Sequence, residues 1–334
     1  FKQKTAYEIM PSLVGSEMCI RDRSHLMLID ISGVEVNVTY LFLLGCVAGL
    51  LSGFFGIGGG ALITPILQII FQIPFHICVG SSLAQTVGSS FTGVLRHSQL
   101  GNIDLKLALM ILGGNFLGVE AGARILDYLH DLGPMVIRNQ ETTYVEYYSR
   151  WLFLCVLLLV AILIMAESFR NRGNLQTEED KRNLSNSTYN GFLQKFHMPP
   201  LAKFPTSCIS SISIFAVTYP AFLIGVTTGL LGIGGGVITI PLLIYGYGTT
   251  TRKAVGTGLL LVFCSTSYGT VTHAIRHNVD PQLVAILLIG STICAQFGAM
   301  ATQAISGRSI RFYFSFIVLG VAGLLLYDLS SRFL

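Results

Sequence analysis

The chain has 334 residues, 52% hydrophobic and only 11% charged, with a formal net charge of +4. Soluble domains carry about 25% charged residues, so this composition, with a mean hydropathy of +0.66, cannot cover a water-facing surface and describes an integral membrane protein. The positive balance is spread over the segments between apolar runs and forms no nucleic-acid patch.

In chain order, residues 1–30 differ in character from the rest of the chain. They begin at Phe1, and the stretch from Ala6 to Arg23 resembles translated adapter read-through, so residues 1–37 are read as a tail outside the fold. The first apolar run, 38–73, is too long for one crossing. A straight helix of that length would span about 50 Å against a hydrocarbon core of about 30 Å. It must be two segments joined at Gly56-Ile57-Gly58-Gly59-Gly60. Further runs lie at 78–95, 105–129 and 151–168. A polar, Asn- and Ser-containing stretch at 170–204 reads as a linker. Runs at 209–245, 254–274, 283–305 and 312–327 complete the chain, the first again too long and again split by glycines. None alternates as a barrel strand would.

The two halves are an internal repeat. Gly56 recurs as Gly232, a shift of 176 residues, and the same shift carries over three helices without a gap. It superimposes Pro65 on Pro241, His97 on His273, Asn102 on Asn278 and Asp104 on Asp280. Glycine matches are easy in a chain with 36 glycines, but matched His, Asn and Asp are not. Counting each glycine break as a reversal gives five segments per half, which inverts the second half. Arg96, Lys106, the basic linker, Arg252, Lys253, Arg308 and Arg311 then share one side, as the positive-inside rule favours. The expected fold is an all-α polytopic membrane protein of two inverted repeats, each a glycine-broken first hairpin plus three transmembrane helices. The units are repeat 1 at 38–168, a cytoplasmic linker at 169–208 and repeat 2 at 209–334.

Three glycines in a row inside an apolar run have two readings. They permit close helix packing, or they free backbone N–H groups to hold an anion at a broken helix. Close packing asks for glycines one turn apart, so Gly58, Gly59, Gly60, Gly234, Gly235 and Gly236 are read as an anion site. A dinucleotide loop is excluded because no strand–helix alternation surrounds these glycines. After the first break, Ser81, Gln85, Ser89, Thr92 and Arg96 fall on one helical face. Their hydroxyls either bond their own helix or line a wet path. Gln85 is the strongest member, since a lipid-facing amide is costly. Ser81 and Thr257 are expected to be the nearest side-chain donors to the anion. Glu120 and Arg124, one turn apart, are either a packing pair or a coupling site for protons, and we favour the pair. Asp104 and Asp280 are expected to cap the helices after them. The seven cysteines show no CxxC spacing and read as buried small residues.

The doubled knot, each copy with Pro five residues on and then a Gly-Ser or Gly-Thr pair (Gly80-Ser81, Gly256-Thr257), resembles the TauE/SafE family of sulfite-exporter-like permeases over about residues 38–328. The resemblance implies polytopic transport of small anions such as sulfite and sulfonates. The expectation is therefore a secondary transporter with alternating access between the two breaks, needing no cofactor and no metal. Its partners would be a small anion and the lipid bilayer, with a homo-oligomer left open and no nucleic acid. In a bacterium it would sit in the plasma (inner) membrane. The rivals are a membrane-embedded enzyme, for which the His and Cys spacing offers no reactive set, and a non-transporting structural subunit, for which no long amphipathic arm is present.

Overall fold

The computed structural model describes residues 28–31, 33–137, 140–170, 192–195, 199–204, 209–304 and 307–333. The first half holds β1 (Leu28–Ile31), β2 (Val34–Asn37), α1 (Val38–Phe55), α2 (Gly60–Ile69), α3 (Phe75–Gln99), α4 (Leu105–Asp131), β3 (Pro134–Ile137), β4 (Gln140–Thr143) and α5 (Tyr144–Arg170). A short 3-10 turn at Phe192–Lys195 and β5 (Leu201–Phe204) precede β6 (Ile209–Ser213) and α6 (Ile214–Leu231). Then come α7 (Gly236–Pro241, extended by a π turn over Leu242–Gly246), α8 (Thr251–Ile275), α9 (Pro281–Ala304) and α10 (Gly307–Phe333). Among the described residues, seven helices are long and apolar enough to cross a membrane: α1, α4, α5, α6, α8, α9 and α10. The protein is an integral, multi-pass membrane protein.

The 176-residue shift maps α1 onto α6 and α3 onto α8 end for end, and the start of α4 onto the start of α9. The fifth helices leave that register because the antiparallel β3–β4 hairpin occupies the first half alone. Three small hairpins are additions to the all-helical expectation. The β1–β2 hairpin lies within the stretch expected to be a tail. Its turn is closed by Gly33 N–H donating to Asp30 Oδ1 (2.8 Å), and Asn37 then caps α1 by accepting from Thr39 N–H. Most of the expected linker lies outside the described residues. Its described end docks through Gln194, whose Nε2 donates to the Tyr247 carbonyl (2.7 Å).

Helix directions are set by which residues meet. Gly45, Gly49 and Gly53 of α1 lie in rising order against the backbone of Leu287, Ser291 and Ala295 of α9, so these helices run parallel. Gly114, Gly118 and Gly122 of α4 meet Thr218, Phe222 and Val226 of α6 in the same way. By contrast Gly93 of α3 meets Leu259 of α8 while Gly269 of α8 meets Leu83 of α3, so these equivalent helices are antiparallel. Arg150, near the start of α5, pairs with Asp328, near the end of α10, at 3.1 Å, and that pair is antiparallel too. The second half is therefore inverted relative to the first. The halves also interlock, since the first helix of each packs on the fourth helix of the other. A methyl group at Gly53 or Gly118 would collide with the facing carbonyl, which is how small residues bring helices together where no hydrophobic effect drives them.

Each broken segment is a re-entrant hairpin. Gly80 of α3 touches Asn278, just before α9, so α1, α3 and α9 begin on one face. From the knot, α2 runs back beside α3, with the Thr64 hydroxyl bonded to Ser82 (2.9 Å) and Ile73 reaching Cys78. The α6–α7 hairpin enters from the other face, where Gly256 of α8 touches Asn102. Large apolar side chains such as Leu117, Leu223, Ile289 and Phe297 are exposed on the perimeter helices α4, α6 and α9, as lipid contact demands. Single cysteines placed at 72 and 277 in a cysteine-free background are expected to label from one side of the membrane, and those at 102 and 252 from the other. Labelling of 102 and 277, which are nearly repeat-equivalent, from the same side would refute the inversion.

Candidate functional site

The site is built where the two hairpins turn. Apolar helix α1 ends when Gly56 adopts a left-handed conformation (φ 77°), its N–H returning to the Ser52 carbonyl. Gly58 and Gly59 come next at φ 84° and 81°, a region closed to most side chains, and α2 restarts at Gly60. The second knot repeats this at Gly232, Gly234 and Gly235, with φ of 68°, 75° and 75°. The two knots touch. Gly60 abuts the Gly232 carbonyl, and Gly236 abuts the backbone of Ile57. Gly58 and Gly234 both lie against Thr86 and Val262, which are repeat mates at the middle of α3 and α8. The expected site glycines thus divide. Gly60 and Gly236 serve close approach, whereas Gly58, Gly59, Gly234 and Gly235 hold positive φ.

Among the described residues, the N–H groups of Ile57, Gly58 and Gly59, and of Ile233, Gly234 and Gly235, donate to no protein acceptor. They lie in a fully buried region, where an unmade backbone bond is costly. Around them the polar stripe of α3 is buried. The Ser89 hydroxyl contacts the Gly58 carbonyl (3.3 Å) and accepts from Ser52 (3.4 Å). Gln85 is completely buried, its oxygen accepting weakly from Thr86 (3.4 Å) and its Nε2 without a partner. The repeat mate of Ser89 is Ser265, which is also buried, and its hydroxyl has no partner. The stripe also explains why α3 is long enough to cross a membrane yet not apolar enough: it is a central helix, wrapped by protein.

Ser81 and Thr257 are placed elsewhere. The Ser81 hydroxyl accepts the Asp280 N–H (3.1 Å), and Thr257 accepts the Asp104 N–H (3.0 Å), one at each face. Their preceding glycines, Gly80 and Gly256, admit the carbonyls of Asn278 and Asn102. Each Gly-Ser or Gly-Thr pair therefore clasps a loop of the opposite half. Asp104 and Asp280 cap as expected, accepting from Leu107 N–H (3.1 Å) and from Leu283 N–H (2.9 Å). His273, at the end of α8, bonds the Gly229 carbonyl (2.9 Å), a contact that ties α8 to α6.

Glu120 and Arg124 pair at 2.9 Å, and they have a third partner that sequence spacing did not reveal. Arg276, at the end of α8, reaches Glu120 (3.1 Å) and Asp127, binding α8 to α4. The repeat mates of Arg276 and Glu120 are Leu100 and Gln296, so this ion cluster has no twin. Among the described residues, no three His, Cys, Asp or Glu side chains converge as a metal site.

Inverted repeats whose broken helices meet against the middle of α3 and α8 define a polytopic membrane protein. The chain matches the family model "Sulfite exporter TauE/SafE" over residues 41–325, and it belongs to that family. It is similar to "Probable membrane transporter protein YunE" of Bacillus subtilis, 23% identical over 300 residues covering 88% of this chain and 98% of that one. YdhB of the same organism, also named a probable membrane transporter protein, is 26% identical over 290 residues (86% and 98% covered). The archaeal MJ0441 of Methanocaldococcus jannaschii, named likewise, is 25% identical over 300 residues (85% and 93%). No solved structure matches the chain. Family and relatives together place the protein among membrane transporters.

The clasp and the ion cluster each generate an expected outcome. Ser81→Ala is expected to destabilise the protein by about 1–3 kcal/mol, because it orphans the Asp280 N–H, while substrate KM stays unchanged. Glu120→Gln is expected to cost about 1 kcal/mol or less and to leave transport per molecule intact. Thermal unfolding alongside transport per inserted protein checks both, and loss of pH dependence in an otherwise well-folded Glu120→Gln variant would make Glu120 a proton carrier instead.

Proposed function

We propose that this protein is a secondary transporter of small anions, sulfite or sulfonates, with alternating access to a site at the glycine knots. One observation carries the reading: two sets of unpaired backbone N–H groups meet at the centre of the molecule, each presented by a hairpin entering from a different face. An oxyanion offers acceptors in several directions and can satisfy several such donors at once. Hydrogen bonds to a charged group are worth about 1.5–3 kcal/mol each, and the half-helix dipole of α2 adds to them. A site made of backbone donors binds weakly enough to release its cargo, as turnover requires. The family's name supports sulfite as one cargo.

On this reading, residues 38–168 and 209–334 are the repeats, and the basic linker at 169–208 lies in the cytoplasm by the positive-inside rule. Inversion then gives each face the same kind of hairpin, which is the geometry alternating access needs. Uptake of labelled sulfite and methanesulfonate into liposomes containing the purified protein tests the proposal. Gly59→Ala puts a side chain at φ 81° beside Gln85, a strain of about 1–3 kcal/mol. It is expected to insert normally and to transport at least about tenfold more slowly. Full transport by the folded Gly59→Ala protein would reduce the knot to a packing device.

A further inference from the structure

The repeat relates the two knots, but their surroundings differ. Beside the first knot, Gln85 is fully buried, its Nε2 has no partner, and its amide oxygen stands 3.6 Å from where a Gly59 Cβ would be. The repeat mate of Gln85 is Leu261, so the second knot has no matching amide. The side-chain oxygens beside Gly235 are the hydroxyls of Thr228 and Thr239, and both already donate to helix carbonyls, of Ile224 and of Gly235 (2.8 Å each). After the first knot α2 runs ten residues, whereas α7 runs six before becoming a π turn. The free donors at the first knot are therefore a side-chain amide together with the N–H groups of Ile57, Gly58 and Gly59 at the start of a proper helix. All are neutral. The atoms nearest Gly56, Gly58, Gly59 and Gly60 belong to Val255, Ile240, Val262, Thr86, Ala48 and Gln85 and to the second knot's backbone, and none is charged.

We propose that the anion is seated at the first knot only, that Gln85 is a specificity-determining residue touching it, and that the seat selects monoanions over dianions. The proposal rests on the anion-transporter reading above and names the substrate class of that same site. The cost of stripping water from an ion grows with the square of its charge, whereas its attraction to fixed neutral dipoles grows only in proportion to that charge. Backbone N–H groups and one amide can thus offset the desolvation of a single charge but fall behind for two. A sulfonate or hydrogen sulfite fits this balance, and sulfate does not. Gln85 left unpartnered in the interior is a stability cost of the kind a binding site retains for its ligand.

The test uses the full chain purified in detergent. Isothermal titration with methanesulfonate and nitrate as monoanions, and with sulfate and thiosulfate as dianions, is run on the natural protein and on Gln85→Leu, which copies Leu261. Both monoanions are expected to bind at least about tenfold more tightly than either dianion, and Gln85→Leu to weaken methanesulfonate by about tenfold or more. Without ligand, Gln85→Leu is expected to raise Tm, which shows that the variant folds and that the amide is not there for stability. Sulfate bound as tightly as methanesulfonate, or unchanged methanesulfonate affinity in a folded Gln85→Leu protein, would overturn the inference while leaving an anion transporter in place. A folded natural protein that binds none of the four anions would overturn the transporter reading and this inference together.

Discussion

A helix that stops inside an apolar interior leaves N–H groups with no water to accept them. Everything around the two knots answers that constraint. The glycines of each knot take left-handed angles so that the chain can reverse within a few residues. The reversal aims the leftover donors of Ile57, Gly58 and Gly59 at the centre rather than at lipid, because the other hairpin and the central helices α3 and α8 close over them. The carbonyls released by the break find hydroxyls: Ser89 serves Gly58, and Thr64 approaches the Gly232 carbonyl at 3.4 Å. At least these two acceptors are served within the protein while the donors of Ile57, Gly58 and Gly59 are left free, a polarity that suits an anion.

Glycine does two separate jobs in this fold, and spacing tells them apart. At intervals of four, as in Gly45, Gly49 and Gly53 or Gly114, Gly118 and Gly122, it removes side chains from one stripe so that a helix of the other half can lie directly on the backbone. In a consecutive run, as at Gly58, Gly59 and Gly60, it breaks the helix. The two uses depend on each other. The stripes lock α1 to α9 and α6 to α4, and that cross-half packing brings the two knots to the same place. A sequence with the knots alone would have two broken helices and nothing to align them.

The inverted repeat, the re-entrant hairpins and the caps at Asp104 and Asp280 were legible because each rests on local pattern or on the constant shift between halves. The β1–β2 hairpin has a local pattern too, in the alternation of Leu28-Ile29-Asp30-Ile31 and Val34-Glu35-Val36-Asn37 about Gly33, but it lies in the stretch read as a tail. Two features had no such signal. Ser81 and Thr257 match across the repeat whether they face a ligand or a loop, and only the interlocking of the halves reveals the loop N–H that each one accepts. Arg276 lies 156 residues from Glu120 and 149 from Asp127, so no helical spacing points to the cluster they form. Pseudosymmetry argued against it as well, since repeats lead one to expect twins and this cluster has none.

That asymmetry bears on how a molecule of inverted repeats can work. Were the halves identical, exchanging their conformations would turn a state open to one face into a state of equal energy open to the other. Here the exchange is unequal on two counts. The ion pairs of Arg276 with Glu120 and Asp127 join α8 to α4, whereas the repeat mates of Arg276 and Glu120, Leu100 and Gln296, can form none. The knots differ too, for Gln85 lies beside Gly59 while its repeat mate is Leu261. The clasps of Ser81 on Asp280 and of Thr257 on Asp104 are the part that is kept equal, with nearly the same length at both faces. The fold thus preserves symmetry in the joints that hold each corner of the central helices and abandons it at Gln85 and at the Arg276 ion cluster. The backbone repeats itself while the side chains at Gln85, Glu120 and Arg276 do not.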